Sequence, residues 1–300
     1  MEIVLDGLRM LDEGIIKRLG PGAEEKNPSG QSNRLSRIPL VQKPITHYAF
    51  LVEEEEFSKG TTIIEEGEFG NWIWIVLHGT AEMARKTIAG PTKILRVGQG
   101  AFIGNISSMM TMGCRRITTF TATETIRLGV LDLEPLYAEY SGLSDEFRSL
   151  LLSLDNRFRE ITDRLSEIHS GVHVHPKTSR NSKEKPKPGK RIESPFLILK
   201  GQATIVREMK NQPFPLINLG PDDFFGPLPF LEMGHEPFSA SVCFSDDLET
   251  TPLDSEVLQS EYDQLSDTLK NMIEFSINCI SIATIAVRQH CLERMKNHND

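Results

Sequence analysis

The segment Gly98-Gln-Gly100-Ala-Phe102-Ile-Gly104-Asn105-Ile106-Ser107-Ser108, followed by Arg115-Arg116-Ile117-Thr118-Thr119-Phe120-Thr121-Ala122, holds the residues of this chain best suited to chemistry. An arginine forms charge-assisted hydrogen bonds to anions. Asparagine can accept from a hydroxyl through its amide oxygen, and Ser107 and Ser108 can add hydroxyl donors. Arg115 and Arg116 are adjacent, so on a strand they point to opposite faces and only one can enter a pocket. Either could instead serve in a surface ion pair. This is an inventory for binding. There is no glycine-rich P-loop, nucleophile elbow or paired-carboxylate pattern. Glu53 to Glu56 read as an exposed acidic strand edge, and His173, His175, His290 and His298 as chance or adventitious metal binders. No catalytic residue, metal site or required cofactor is expected.

The same chain repeats itself at an offset of 122 residues. Gly79 falls on Gly201, Ala81 on Ala203, Arg85 on Arg207, Gly98 on Gly220, Phe102 on Phe224 and Gly104 on Gly226. The register continues without a gap through Leu131-Asp132-x-Glu134-x-Leu136, matched by Leu253-Asp254-x-Glu256-x-Leu258. It extends to Glu139-Tyr140-x-x-Leu143-Ser144-Asp145, matched by Glu261-Tyr262-x-x-Leu265-Ser266-Asp267. Two copies of one domain follow, and each can be used to read the other.

Composition is that of an ordinary soluble globular protein, 39% hydrophobic and 25% charged. A net charge of −9 argues against nucleic acid as a main partner, because duplex affinity comes largely from neutralising phosphates with cations. Cys114, Cys243, Cys279 and Cys291 are scattered, with no C-x-x-C and no equivalent positions in the two copies, which suits free thiols in a reducing cytoplasm. No signal peptide and no apolar run of about 20 residues is present, so a cytoplasmic protein without membrane contact is expected.

Residues 1–45 divide into an N-terminal helical pattern over 1–19 and a Gly/Pro/Ser/Asn-rich linker over 20–44. The helix either docks on a partner or packs on its own protein. Residues 46–171 form domain 1. From about 48 to 135 the pattern is of short strands punctuated by glycine: Thr62-Ile63-Ile64, Trp72 to Leu77, Ala81 to Arg85, Lys93 to Val97 and Ile117 to Ala122. Such spacing suggests a small antiparallel barrel or jelly roll. Then the period changes. Phe147, Leu151, Leu154, Phe158, Ile161, Leu165 and Ile168 step by 4 and 3 along one helix, 143–170. That is an a/d seam, which either pairs with another helix or covers its own barrel. Residues 172–191, with seven Lys/Arg, one Glu and three prolines, read as a basic linker or loop. They stand where the second copy should have its first strands, so domain 2 (192–300) should be cut down there. It ends in a helix over about 263–296, apolar enough from Met272 to Val287 to be buried within the chain or in a dimer.

The run Phe102-Ile-Gly104-Asn105-Ile106 with Arg116-Ile117-Thr118-Thr119 resembles the phosphate-binding cassette of cyclic-nucleotide-binding domains, the family of the catabolite activator protein and of protein kinase A regulatory subunits. Gly60-x-x-Ile63-x-x-x-Gly67 and Trp74-Ile75-Val76-Leu77-His78-Gly79 resemble its opening strands. The resemblance covers about 46–170 and again about 192–290. It implies an α+β, mainly β fold of two tandem jelly-roll β-barrels with flanking α-helices. It further implies that a cyclic phosphate is held by amides at the start of a short helix and by an arginine, while a glutamate accepts from the ribose.

On that resemblance the ligand-binding residues are Gly104, Asn105, Ile106, Ser107, Arg116, Ile117 and Thr118. Asn105 replaces the family's glutamate, and the following loop is one or two residues longer. A charged acceptor contributes about 1.5–3 kcal/mol against about 1 for a neutral one, so affinity would fall roughly tenfold without vanishing. Asn105 also suits the N-cap of the short helix. In domain 2, Gly226 persists, but Pro227 replaces Asn105 and Phe238 replaces Arg116. A phosphate there would be buried without a counter-charge, at a cost of several kcal/mol, so a plugged pseudo-site is expected.

The implied function is a cyclic-mononucleotide-sensing regulator, for cAMP or cGMP, without a catalytic or DNA-binding output domain. It would relay occupancy through helix 143–170 to a protein partner or homodimer. Two alternatives are a tandem-barrel scaffold that has lost nucleotide binding and a transcription regulator of the catabolite activator type. The base preference and the downstream partner are open.

Overall fold

A computed structural model describes residues 40–42, 51–88, 90–109, 114–169, 194–209, 212–231 and 241–297. The first copy contains β1 (Leu40–Val41), β2 (Leu51–Phe57), β3 (Thr62–Ile64), β4 (Phe69–Gly70), β5 (Trp74–His78), β6 (Ala81–Arg85), β7 (Thr92–Val97), β8 (Phe102–Ile103), β9 (Cys114–Arg115), β10 (Thr119–Ala122) and β11 (Ile126–Leu131). Period-2 patterning sets the faces: Ala81 and Met83 of β6, and Phe120 and Ala122 of β10, point inward while their neighbours do not. The strands form one sheet ordered β1-β7-β6-β10-β3 and another ordered β2-β11-β5-β8, with β4 and β9 paired apart from both. Both sheets feed a single core that includes Leu95, Phe120, Ile75 and Leu128. Two sheets around a common core correspond to the expected jelly roll, although no continuous ring of strand pairs closes among the described residues.

Some sequence boundaries need correction. Leu40 and Val41, read as linker, form β1 and pair in parallel with Arg96 and Val97 of β7. Val41 is buried, and this apolar anchoring is what draws linker residues into the sheet. Trp72 and Ile73 precede β5 and are not part of it. The expected acidic edge is present: β2 lies at the end of its sheet with Glu53, Glu54 and Glu56 exposed, which discourages edge-to-edge pairing. The N-terminal helix, the basic segment 172–191 and Phe238 lie outside the described residues.

The second copy contains β12 (Phe196–Lys200), β13 (Ala203–Met209), β14 (Gln212–Leu219), β15 (Phe224–Phe225), β16 (Ser241–Phe244) and β17 (Glu249–Pro252). Its pairings repeat those of the first copy 122 residues on. Trp74 opposite Ile103 becomes Phe196 opposite Phe225, and Ala81 opposite Val97 becomes Ala203 opposite Leu219. The turn after β5 needs Gly79, at φ 84°, because a Cβ there would lie 2.5 Å from the Thr125 carbonyl oxygen. Gly201, at φ 80°, meets Ser245 Oγ at 2.7 Å in the matching turn.

Each copy ends in a short and a long helix: α1 (Leu133–Ser141) and α2 (Asp145–His169), then α3 (Ser255–Gln264) and α4 (Asp267–Asn297). Asp132 and Asp254 cap the short helices, accepting from the Glu134 and Glu256 amides at 3.1 and 2.9 Å. The long helices pack against each other, which decides what the a/d seam of α2 is for. It faces α4 of the same chain as well as its own domain, and Phe147, Leu151, Leu154, Ile161, Leu165 and Ile168 are all buried.

The ends of this helix pair are tied reciprocally. Ser144 donates its amide and hydroxyl to Glu261 at 2.8 and 2.7 Å, and Ser266 donates its own to Glu139, the hydroxyl at 2.7 Å. Each serine also caps its long helix, accepting from Phe147 or Leu269 at 3.1 and 3.2 Å. These are capping boxes in which the glutamate comes from the other copy rather than from the helix's own third residue. The two copies are thus related as the halves of a twofold dimer, in one polypeptide. Among the described residues no helix is long and apolar enough to cross a membrane.

Ser144→Ala and Ser266→Ala should each destabilise the chain by about 1–2 kcal/mol, lowering the melting temperature by roughly 2–8 °C. Thermal denaturation of both variants checks this. A cost at one serine and none at the other would contradict the equivalence of the two ends.

Candidate functional site

The cassette begins where β8 pairs with β5, setting Phe102 opposite Ile75 and Ile103 opposite Trp74. The chain then turns at Gly104, with φ 133°. A Cβ at this position would stand 3.1 Å from Ile73 Cγ1 and 3.3 Å from the Trp72 carbonyl oxygen, so conformation and space both demand glycine. A single 3-10 turn follows, Ile106–Met109. Asn105 stands at its start, accepting from Ser108 Oγ at 2.7 Å through Oδ1 while its Nδ2 donates to Ser107 Oγ. Its backbone carbonyl accepts from the Ser108 amide at 3.0 Å. The side chain of Ile106 is buried in the core and does not line the cavity beside the turn, which leaves its backbone amide facing the site.

The adjacent arginines divide as the strand geometry requires. Arg115, in β9, is exposed and lies 4.7 Å over the Phe69 ring. Arg116 points inward and is 4% exposed. Its backbone is fixed by the Gly67 amide and the Glu68 carbonyl, both at 2.8 Å. Its guanidinium donates to the Trp72 carbonyl at 2.6 Å and Ser108 Oγ at 3.1 Å, and sits 5.9 Å from the Trp74 ring centre. Ser108 therefore links Arg116 to Asn105. Gly70 makes room for this arrangement, because a Cβ there would come within 3.0 Å of Arg116 Nη2.

Asp155, on α2, was not singled out by the sequence reading. Its carboxyl oxygen Oδ2 accepts from the Ser107 amide at 2.7 Å and from Asn105 Nδ2 at 3.3 Å, and the Ile106 amide also reaches it. The amides that begin the turn are thus engaged by a side chain of the following helix. The one sequence signal for it was the repeat itself, since the position 122 residues on is Ile277.

A cavity remains between the cassette and the helices, lined by Gly104, Asn105, Arg116, Ile117, Thr118 and Asp155 together with Phe158, Phe275, Ser276 and Cys279. Its far wall, the last three residues, belongs to the second copy. Its volume is about 30 Å³, room for roughly two or three waters and far below the ~300 Å³ of a small ligand pocket. A further ion pair fastens α2 nearby: Arg85 donates to Asp163 and to the Ile117 carbonyl.

The second copy is built differently at the matching place. Gly226 keeps a positive φ of 102°, but Pro227 replaces the asparagine and offers no amide. Here α2 from the first copy packs against the described part of the cassette. Arg157, fully buried, donates to the Phe224 carbonyl and lies 4.1 Å over the Phe224 ring. Ser153 donates to Asp223 at 2.7 Å. The equivalent positions on α4 are Phe275 and Cys279, which face the first cassette, Phe275 meeting Phe102 edge-on at 5.7 Å. Among the described residues no group of His, Cys, Asp or Glu is arranged to hold a metal ion.

Burial is the largest influence on Asp155 and pushes its pKa up, against the opposing donors of Ser107, Asn105 and Ile106. A carboxyl with a raised native pKa holds more protons folded than unfolded. Stability therefore falls as pH rises from about 4, the ordinary carboxylate value, through the native pKa. Arg116 and Cys279 share the cavity, and burial pushes the thiol upward, away from this window. Asp155→Asn should flatten the dependence of melting temperature on pH above about 4, the ordinary carboxylate value. A variant curve parallel to that of the parent would rule out a raised native pKa.

Residues 54–141, from β2 to the last residue of α1, match the family model of the cyclic nucleotide-binding domain. Among solved structures, the N-terminal domain of a transcriptional regulator from Streptomyces coelicolor A3(2) is 24% identical over 29% of this chain and 67% of its own, with a TM-score of 0.26. A cyclic nucleotide-binding domain from Methylobacillus flagellatus KT is 23% identical over 30% of this chain and 50% of its own, TM-score 0.27. The cAMP-bound PfPKA-R structure is 17% identical over 74% and 79%, TM-score 0.27. With the strand order, the glycine turn and the buried arginine in place, residues 54–141 constitute a domain of the cyclic nucleotide-binding family.

Proposed function

We propose that the chain is a cyclic-mononucleotide-responsive regulatory module whose first copy takes the ligand. The observation that carries this reading is Arg116, buried in the family-matched domain with its guanidinium turned into the cassette beside Gly104 and Ser108. A cyclic phosphate would draw on that cation and on the amides of Ile106 and Ser107, and a ribose hydroxyl would find the Asn105 amide oxygen. The second copy has neither the cation, given Phe238, nor the equivalents of the Asn105 amide oxygen and the Ser107 amide, given Pro227 and Pro229, and serves as lid and relay through α4.

The arrangement described above is then the closed form. The cavity holds only a few waters, so a nucleotide can enter only if α2 and α4 move away from the cassette. Because α2 also contacts the second cassette through Ser153 and Arg157, its displacement would be felt by both copies. The work is regulatory rather than catalytic. The thiols of Cys243 and Cys279, which form no disulfide, suit a reducing cytoplasm.

The small cavity and its occupied amides favour a second reading, in which the tandem domains are a scaffold that no longer binds nucleotide. Thermal melting separates the two. Ligand at 100 times its dissociation constant adds about 2.7 kcal/mol, a rise of roughly 5–10 °C. Sensing predicts such a rise with millimolar cAMP or cGMP, abolished by Arg116→Ala and kept in Phe238→Ala. No rise with either nucleotide in the parent protein would leave the scaffold.

A further inference from the structure

We propose that Asp155 is a built-in occupant of the phosphate position, an autoinhibitory latch that holds α2 down on the first cassette and must be displaced before a nucleotide can bind. This inference rests on the sensing role proposed above and assigns its regulation. The group that engages the amides of Ile106 and Ser107 is an acid with two oxygens, the chemistry those donors would otherwise offer to a phosphate. It also takes Asn105 Nδ2, so the residue meant for a ribose hydroxyl is partly committed to the latch.

Comparison within the chain supports a specific role. In the second copy Pro227 and Pro229 stand at the positions of Asn105 and Ser107, so the side-chain donor and the Ser107 amide are both lost, and the acid at the position equivalent to Asp155 is lost as well, replaced by the buried Ile277. An acid that served only to solubilise a helix face would have no reason to disappear together with the donor it contacts. The latch is reinforced eight residues along α2, about two helical turns, where Asp163 binds Arg85. Arg85 in turn holds the Ile117 carbonyl, adjacent to Arg116, so both contacts fasten the same helix to the same cassette.

The test compares the full chain with Asp155→Asn, which keeps an acceptor oxygen of similar shape, and with Asp155→Ala, which removes it. Two quantities are read: the affinity for cAMP and cGMP by calorimetry, and amide hydrogen exchange over residues 104–109 without nucleotide. The latch predicts tenfold to hundredfold tighter binding in both variants, the factor for releasing one or two charged hydrogen bonds, and faster exchange at Ile106 and Ser107. Equal affinity in parent and variants, or weaker affinity in the variants, would overturn the latch while leaving nucleotide sensing intact. Faster exchange with no nucleotide bound by any of the three proteins would support the latch and overturn sensing. Unchanged exchange with no binding would overturn both.

Discussion

The structure depends on the antiparallel bond between two helix starts, Ser144 held by Glu261 and Ser266 held by Glu139. Each serine caps its long helix and is itself gripped by a carboxylate from the other copy. The chain therefore fixes where α2 and α4 begin relative to both domains, and the remainder follows from that placement. With its start pinned, α2 runs between the two cassettes. One side brings Asp155 and Phe158 to the first, and another brings Ser153 and Arg157 to the second. A helix with both sides assigned cannot rotate or slide without breaking contacts in both domains.

The first cassette keeps its buried cation ordered by contacts within the protein. Arg116 is preset by the Trp72 carbonyl, Ser108 and the space left by Gly70, so little ordering would remain to be done on binding. The positions that would meet a phosphate are already satisfied by protein, as buried donors generally must be. Closure is thus not simply the absence of ligand. On the function proposed above it is a competing bonded state, in which a carboxyl group, the rings of Phe158 and Phe275 and the wall of the second copy line the cavity beside the turn.

Much of this was legible in the sequence. The 122-residue offset reappears as identical strand pairings, because register depends on local patterning that duplication preserves. That only one of Arg115 and Arg116 turns inward followed from strand alternation, and the heptad spacing of α2 left two uses for its seam, another helix or its own barrel, of which the fold takes both. What escaped were contacts between residues far apart in the chain. Asp155 lies 48 positions from Ser107, and its neighbours on the helix give no sign that its carboxyl finds a turn rather than water. The cross-copy capping boxes escaped for the same reason, since the glutamate a helix start uses is normally sought three residues downstream. Ile106 shows another limit: the motif names the residue without saying which part of it faces the site, and apolarity sends the side chain into the core while the amide reaches Asp155.

Carrying both halves of a twofold assembly on one polypeptide removes a restriction that identical subunits face. In a homodimer every substitution is made twice, and a change that suits one side is imposed on its mate. Here position 155 could hold an acid while 277 holds an aliphatic residue, and Arg157 could bond the backbone of the opposite cassette where its counterpart Cys279 only lines the cavity wall. Division of labour between a receptive half and a covering half is open to a fused pair, whose partners cannot be diluted apart or exchanged for one another.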